Sequence, residues 1–388
     1  MQLTRKKPSI WIIGFAIFSM FFGAGNIIFP LSLGSYAQDG HLFAVSGLLI
    51  TSIIVPFGGL FTMMLYEGNY TEFFARLGPK IGFLLAFFIL LIMGPVGALP
   101  RCITTSYATT SLILPNLSII TFSLISCILI FLFTLKSQNT IKLIGLVLTP
   151  LLLLSLSTII VKGLYQGETP GISPHSPSSL FLYGLITGYN TMDLIACFFF
   201  SSIVLLSLKR KQDPESHIHV KKALPLLVKA ILLGGGLLAI IYVGFALVSA
   251  SYSSLLREVS QDQFLATIAY HILGGSTSAI VAIAVFFTCL TTEIALAIVF
   301  TQFIRRYFFQ NKVSYPICLL LTLLVAFLIS TLRFEGISNF LVPILQICYP
   351  SLITLTALNL CYKLWDFKPV KIPVLIVFIA TLISFIFM

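Results

Sequence analysis

Long apolar runs alternate with short polar stretches along the whole chain. A window of about 20 residues, the length of a helix that crosses the hydrocarbon core of a bilayer, distinguishes eleven apolar runs. These runs cover about 10–36, 42–66, 81–112, 117–135, 140–162, 179–208, 223–249, 276–304, 314–332, 336–362 and 371–388. Each run predicts one membrane helix. The pattern therefore predicts an all-α membrane protein in which residues 1–388 form a single transmembrane domain.

The first and sixth runs are each interrupted by residues that disfavour a continuous membrane helix. The interruption of the first run consists of Gly23, Ala24, Gly25 and Asn26. The interruption of the sixth run consists of Gly188, Tyr189, Asn190, Thr191 and Asp193. The two breaks open two sets of five runs, and an odd number of crossings inverts the second set relative to the first. We therefore expect an inverted five-plus-five repeat with discontinuous helices 1 and 6, repeat units at about 10–163 and 179–362, and an extra helix at 371–388.

An unwound segment in hydrocarbon persists only where it is covered by protein or lines a wet cavity. Half-helix N-termini offer N–H groups to an anionic group, and freed carbonyls can hold a cation or an ammonium. A small zwitterion together with a small cation uses both. We therefore predict these substrate-binding residues: Gly23, Ala24, Gly25, Asn26, Gly188, Tyr189, Asn190 and Asp193. For either break alone, the simpler interpretation is a kink that permits close helix packing.

Composition agrees with a membrane location. Hydrophobic residues make up 58% of the 388 residues and charged residues 9%, against roughly 45–50% and about 25% in soluble domains. With a cytoplasmic N-terminus, most of the 23 Lys and Arg residues fall on the inner side of the predicted helices. We therefore expect a multi-pass protein of the cell inner membrane. The net charge of +11 is assigned to topology and contact with anionic lipid rather than to nucleic-acid binding.

The sequence offers little chemistry of other kinds. The seven cysteines fall within apolar runs, without C-x-x-C spacing and apart from the five histidines. This distribution indicates neither a disulfide framework nor a metal site. We expect no cofactor. In the third run, the stretch GPVGALPR predicts a kinked helix.

Three motifs carry a resemblance to a known family: FSMFFGAGNIIFPLSLG in the first run, TGYNTMDLIA in the sixth and FFTCLTTEIALA in the eighth. They resemble the branched-chain amino acid:cation symporters, the LIVCS or BrnQ-type carriers, over essentially the whole chain. The resemblance implies the leucine-transporter-like fold of the amino acid–polyamine–organocation superfamily. It also implies a secondary active symporter that imports Leu, Ile and Val, driven by a sodium or proton gradient. The residues themselves predict only a carrier of a small zwitterion.

The eighth run adds side-chain oxygens on a continuous helix. Thr288, Thr291 and Thr292 lie at i, i+3 and i+4, so their hydroxyls share one face of one helical turn. By resemblance to transporters of this fold, Thr291 and Thr292 are expected to form a sodium site with backbone carbonyls near Gly23 and Ala24. The simpler interpretation is that each hydroxyl bonds a carbonyl of its own helix.

Asp193 and Glu293 are carboxylic acids inside predicted membrane helices, where an ionisable group indicates function because its burial is costly. Asp193 is a candidate for binding the substrate ammonium, for binding the cation or for capping a half-helix. Glu293 stands where the family pattern suggests a small residue, so it is a candidate proton carrier or a structural partner of Arg101 or of another cation. The alternative functions are an intramembrane enzyme that uses the two acids, a channel, and a carrier for another small neutral amino acid.

Overall fold

A computed structural model describes residues 10–135, 138–209 and 220–387, and every regular element among them is helical. The α-helices are α1 (Ile10–Phe21), α2 (Ala24–Ala37), α3 (His41–Leu49), α4 (Val55–Leu65), α5 (Tyr70–Ala75), α6 (Pro79–Met93), α7 (Ala98–Ser111), α8 (Ile119–Leu135), α9 (Gln138–Gln166), α10 (Pro177–Tyr189), α11 (Asp193–Lys209), α12 (Val220–Ser251), α13 (Phe264–Leu273), α14 (Gly275–Tyr307), α15 (Tyr315–Ser330), α16 (Arg333–Trp365) and α17 (Lys371–Ile386). A π-helical turn, Ile50–Ile54, joins α3 to α4. Each of the eleven apolar runs is occupied by one or two of these helices, so the all-α prediction is confirmed.

Length and hydropathy identify the strongest candidates for crossing a membrane among the described residues. Five helical stretches qualify: Ala24–Leu65, Pro79–Ser111, Leu224–Ser251, Ala279–Tyr307 and Arg333–Trp365. Five shorter apolar helices accompany them: Ile10–Phe21, Ile119–Leu135, Leu152–Gln166, Tyr315–Ser330 and Lys371–Ile386. The first long stretch contains a turn, because Gln38 follows α2 with a φ of +48° and α3 then begins at His41. This turn agrees with the two separate apolar runs in the sequence.

The first and sixth helices are discontinuous, as predicted. The chain leaves the helical conformation at residues 22–23, between α1 and α2. It does so again between the end of α10 and the start of α11, where Met192 has a φ of +63°, a conformation that non-glycine residues rarely adopt. The boundaries of the two repeat units stay a prediction.

A third interruption separates α6 from α7 at residues 94–97. The sequence predicts a kink here, and the structure has a complete turn. Pro95 lacks a backbone N–H, and the amide of Val96 reaches back to the carbonyl of Leu91, 3.2 Å away. The turn sets α7 off from α6 and leaves Arg101 within the first turns of a new half-helix.

Close helix packing brings the first two breaks together. α1 and α2 lie against α12, α10 lies against α3, and α7 lies against α14. The closest approach uses glycine: a Cβ atom on Gly184 of α10 would lie 3.0 Å from the amide nitrogen of Leu48 and would overlap the carbonyl of Ala44. Small residues allow such backbone contact in membrane bundles.

Candidate functional site

A small cavity of about 40 Å³ lies between the first two breaks. Its lining includes these residues predicted to bind substrate or ion: Gly23, Ala24, Gly25, Asn26, Asn190, Asp193 and Thr292. Phe21, Phe200 and Leu296 supply apolar surface to the same cavity. The two breaks also touch directly, since a Cβ atom on Gly25 would lie 3.2 Å from the carbonyl oxygen of Asn190. The structure therefore combines polar groups and an apolar wall in one cavity.

Asp193 is held in a buried network that joins three helices. The amide nitrogen Nδ2 of Asn26 donates to Oδ1 and Oδ2 of Asp193 at 2.9 and 3.0 Å. The hydroxyl of Tyr242, on α12, donates to Oδ2 at 2.9 Å and also contacts Asn26 Nδ2. Only 1% of Asp193 is exposed. Because a carboxylate offers about four lone-pair sites, this network leaves the acid capacity for a further donor.

The two half-helices that begin at the breaks are capped from within the protein. The backbone N–H of Gly23 donates to Oδ1 of Asn26 at 2.9 Å. The N–H of Leu194, in the first turn of α11, donates to the hydroxyl of Tyr349 on α16 at 3.0 Å. Asp193 itself is the first residue of α11, where the positive end of the helix dipole stabilises a negative charge. One amide at each half-helix start therefore already has a partner.

Arg101 is a buried cation beside the cavity that it helps to line. Its side chain is 2% exposed, and its guanidinium carbon lies 4.7 Å from the ring centre of Phe29 and 5.1 Å from that of Phe334. Nη1 donates weakly to the carbonyl of Asn190 at 3.4 Å and contacts the Met192 sulfur at 3.7 Å. Within the described part of the chain, Nε and Nη2 have no hydrogen-bond partner.

The threonines of α14 bond their own helix. The Thr288 hydroxyl donates to Ala284, and the hydroxyls of Thr291 and Thr292 donate to the Thr288 carbonyl at 2.8 and 3.2 Å. The hydrogen bonds therefore follow the simpler interpretation, in which each hydroxyl bonds a carbonyl of its own helix. Each hydroxyl oxygen still carries lone pairs that can bind a cation. Thr292 lies next to the first break, because its Oγ1 is 3.9 Å from where a Cβ atom on Gly23 would stand.

Glu293 is 2% exposed and makes no ion pair with Arg101, so the predicted structural pairing of these two residues is wrong. The physical reason lies in the neighbourhood of Arg101, whose guanidinium lies over the rings of Phe29 and Phe334. Glu293 is absent from the cavity lining. Its role as a proton carrier stays a prediction.

Several predicted site residues lie outside the cavity lining. Gly188 faces the π-helical turn, because a Cβ atom on it would lie 3.0 Å from Cβ of Thr51. Tyr189 stacks on Tyr349 with ring centres 4.8 Å apart. Thr288 and Thr291 are also absent from the lining. Direct substrate or ion contacts of these residues stay predictions.

Sequence reasoning missed three residues that complete the site: Arg101, Tyr242 and Tyr349. Tyr242 had a weak signal, since it is a lone polar aromatic side chain inside an apolar run. Tyr349 precedes Pro350 in a run with several polar residues, which hides it. The sequence predicts for Arg101 only a structural pairing with Glu293. Its position beside the cavity depends on the turn between α6 and α7.

Two comparisons of the sequence agree with each other. The family model described as "Branched-chain amino acid transport protein" matches residues 6–387. A protein of Staphylococcus aureus (strain USA300), named as a branched-chain amino acid carrier protein, is 33% identical over 406 residues, with 97% of this chain and 88% of the relative covered.

Solved transporter structures share the fold. A manganese transporter of Eremococcus coleocola matches with a TM-score of 0.65 at 16% identity, covering 98% of this chain and 88% of that one. The inward-facing conformation of Mhp1 matches with a TM-score of 0.62 at 16% identity, covering 92% and 77% of the two chains. The helical architecture is therefore the leucine-transporter-like fold, and at this identity the likeness concerns the fold alone.

Proposed function

The chain belongs to the family of branched-chain amino acid transport proteins, and from this premise we propose that it is a symporter that imports leucine, isoleucine and valine with a coupling cation. A multi-pass membrane carrier, not an enzyme, is what the family and the fold describe. The observation that carries the proposal is the cavity between the two breaks, where the Asp193 carboxylate lines the same space as apolar side chains.

The cavity supports a division of roles for an amino acid substrate. Asp193 binds the substrate ammonium, together with Oδ1 of Asn190, which has no hydrogen-bond partner among the described residues. Phe21, Phe200 and Leu296 surround the branched side chain. A charged side chain is excluded because burial of an unpaired charge in an apolar wall is costly. The same chemistry disfavours small polar amino acids, which would leave the apolar wall unfilled.

Sodium is the coupling ion that we propose. Thr292 stands beside Gly23, and the break frees backbone carbonyls in the same region. Hydroxyl and carbonyl oxygens at close quarters suit a small hard cation. The opposing candidate is a proton carried by Glu293, which is buried in α14 next to the threonines. The bilayer is the third partner, and import occurs across the cell inner membrane with the N-terminus in the cytoplasm.

The test is uptake of labelled leucine into proteoliposomes that contain the purified full-length protein. A sodium gradient and a proton gradient are imposed in separate samples. We expect concentrative uptake with the sodium gradient, and inhibition by unlabelled isoleucine and valine but not by lysine or glutamate. Alanine serves as the competitor that tests a general neutral amino acid carrier. Failure of both gradients to drive accumulation of leucine, or strong inhibition by lysine, would contradict the proposal.

An intramembrane enzyme and a channel were the alternative classes. The two acids of the enzyme hypothesis do not share a site, since Asp193 lines the cavity and Glu293 does not. A channel would conduct leucine only down its own gradient. Accumulation of leucine above the external concentration is therefore the outcome that separates a symporter from a channel.

A further inference from the structure

The buried guanidinium of Arg101 has no anionic partner among the described residues. Arginine stays protonated in proteins, and a buried charge is strongly unfavourable in a membrane protein unless it is paired. Yet no carboxylate of the described residues lies within 4.0 Å of the Arg101 guanidinium. Two aromatic rings, one carbonyl at 3.4 Å and one sulfur are its neighbours, while Nε and Nη2 lack partners.

The position of Arg101 in the cavity lining suggests that the substrate supplies the missing anion. Arg101 and Asp193 line the same cavity without forming an ion pair. Asp193 is held by hydrogen bonds from Asn26 and Tyr242, and the Arg101 guanidinium lies over the rings of Phe29 and Phe334. Two opposite charges that line one cavity without pairing match the two charges of an amino acid. The unpartnered acceptor of Asn190 lies in the same lining and suits the ammonium end.

One of the backbone amides expected to bind a carboxylate is already engaged at each half-helix start. The amides at the starts of the half-helices were the sequence-based candidates, yet Gly23 N–H bonds Asn26 and Leu194 N–H bonds Tyr349. Backbone amides also carry only partial charge. The planar guanidinium can present two parallel donors to a carboxylate.

Resting on the proposed function, we infer that Arg101 binds the carboxylate of the transported amino acid and thereby selects substrates that carry a free carboxylate. The substrate would then lie with its carboxylate at the Arg101 guanidinium and its ammonium at the Asp193 carboxylate. This assignment adds α7 to the substrate site. It makes the turn at residues 94–97 the element that positions the carboxylate-binding residue.

The experiment compares leucine with leucinamide, which keeps the ammonium and the side chain and replaces the carboxylate with a neutral amide. Binding to the purified full-length protein is measured by titration calorimetry. For the wild type we expect leucine to bind more tightly than leucinamide by about 10- to 100-fold, the range of a charge-assisted hydrogen-bonded pair. For Arg101→Gln we expect the ratio to fall to about one, because leucine binding weakens and leucinamide binding does not. Arg101→Lys keeps the charge without the planar fork and should give an intermediate ratio.

Arg76→Gln is the matched control. Arg76 bonds Asn359 and the Lys368 carbonyl at one end of the bundle, away from the cavity lining, so this variant should keep the wild-type ratio. A ratio that persists in Arg101→Gln, or equal loss of both ligands, would mean that Arg101 is structural and would overturn the inference. If Arg101→Gln does not fold, a wild-type protein without preference for leucine overturns it equally. A wild type that binds no leucine at all would instead overturn the proposed function.

Discussion

Gly25 is the residue at which the two breaks meet. A Cβ atom there would lie 3.2 Å from three backbone atoms, the carbonyl oxygens of Asn190 and Thr191 and Cα of Thr191. Backbone cannot swing aside as a flexible side chain can. We predict that Gly25→Leu abolishes leucine binding while membrane insertion persists, because the larger side chain separates the breaks and fills the cavity. Calorimetry with leucine on the purified variant measures the loss.

The matched control for this change is Gly236→Leu on α12. Gly236 is exposed, and a Cβ atom on it would have no neighbour within 4 Å. This variant should bind leucine as the wild type does and should be recovered from the membrane in equal amount. Wild-type leucine affinity in Gly25→Leu would show that the contact between the breaks is not part of the site.

Single residues differ in how far the sequence could identify their roles. Gly25 and Asp193 stand out because small and charged residues interrupt apolar runs. The bond between Asn26 and Asp193 joins positions 167 residues apart, and no local pattern encodes such a contact. Gly188 shows the opposite case: it also interrupts an apolar run and was predicted to bind substrate, but it packs against Thr51. Composition thus finds the break, and tertiary packing decides which of its residues face the cavity.

At the scale of one helical element, α14 presents both candidate ion-binding chemistries within one turn. If sodium is the coupling ion, Thr292→Ala should raise the sodium concentration for half-maximal leucine uptake several-fold, because one oxygen of a small coordination shell is lost. Glu293→Gln should then change that value much less. The measurement is uptake into proteoliposomes over a series of sodium concentrations at fixed pH.

The same pair of variants identifies a proton-driven carrier. In that case Glu293→Gln should abolish the response to a pH gradient, because an amide does not titrate in the accessible range, while exchange of leucine across the membrane persists. Thr301→Ala is the control on the same helix, since Thr301 lies within hydrogen-bond distance of Thr322 on α15 and is absent from the cavity lining. If both variants keep wild-type ion dependence, α14 contributes packing only and the ion site belongs near Asp193.

The contact between α3 and α10 leads to a second prediction about helical elements. Gly184 lets the two backbones approach, since its Cβ position is occupied by the Ala44 carbonyl. Gly184→Val should destabilise the protein by about 1–3 kcal/mol, the usual cost of overpacking a core, and lower its thermal midpoint in detergent. Gly58→Val is the control, because a Cβ atom on Gly58 would meet no atom within 4 Å. Equal midpoints in the two variants would contradict the packing role of Gly184.

Elements were predicted more completely than their connections. Hydropathy and the clustered small residues sufficed for the helical runs and the two breaks, because membrane helices are encoded by local composition. The turn at residues 94–97 was expected only as a kink. Whether a Gly-Pro stretch bends or fully interrupts a helix depends on what packs against it, and Gly94 and Gly97 lie against Phe300 and Leu341. These contacts depend on the tertiary structure, so a local sequence pattern does not reveal them.

For the whole molecule, bonds between connecting segments constrain the number of crossings. Oδ1 of Asp39, which follows the first apolar run, accepts from the Ser173 amide at 2.8 Å, and Ser173 follows the fifth. Glu72, which follows the second run, pairs with Lys363 after the tenth at 3.1 Å. Segments joined in this way lie at the same end of the bundle. If each connection is numbered by the apolar run that it follows, odd-numbered connections contact odd-numbered ones and even-numbered connections contact even-numbered ones. This pattern is required if every apolar run crosses the membrane once.

This parity leaves the orientation of the bundle to be tested, and the positive-inside rule predicts it. Lys312 and Arg76 belong to the even connections, and Glu168 belongs to an odd one. We therefore predict that a membrane-impermeant maleimide labels the Glu168→Cys variant in intact cells, and labels the Lys312→Cys variant only after permeabilisation. Both positions are exposed. The parent protein provides the baseline, since five of its seven cysteines are buried and Cys348 and Cys361 are partly exposed. The reverse labelling pattern would place the N-terminus outside. Labelling of both variants in intact cells would contradict a single crossing by each of the three runs that separate these positions.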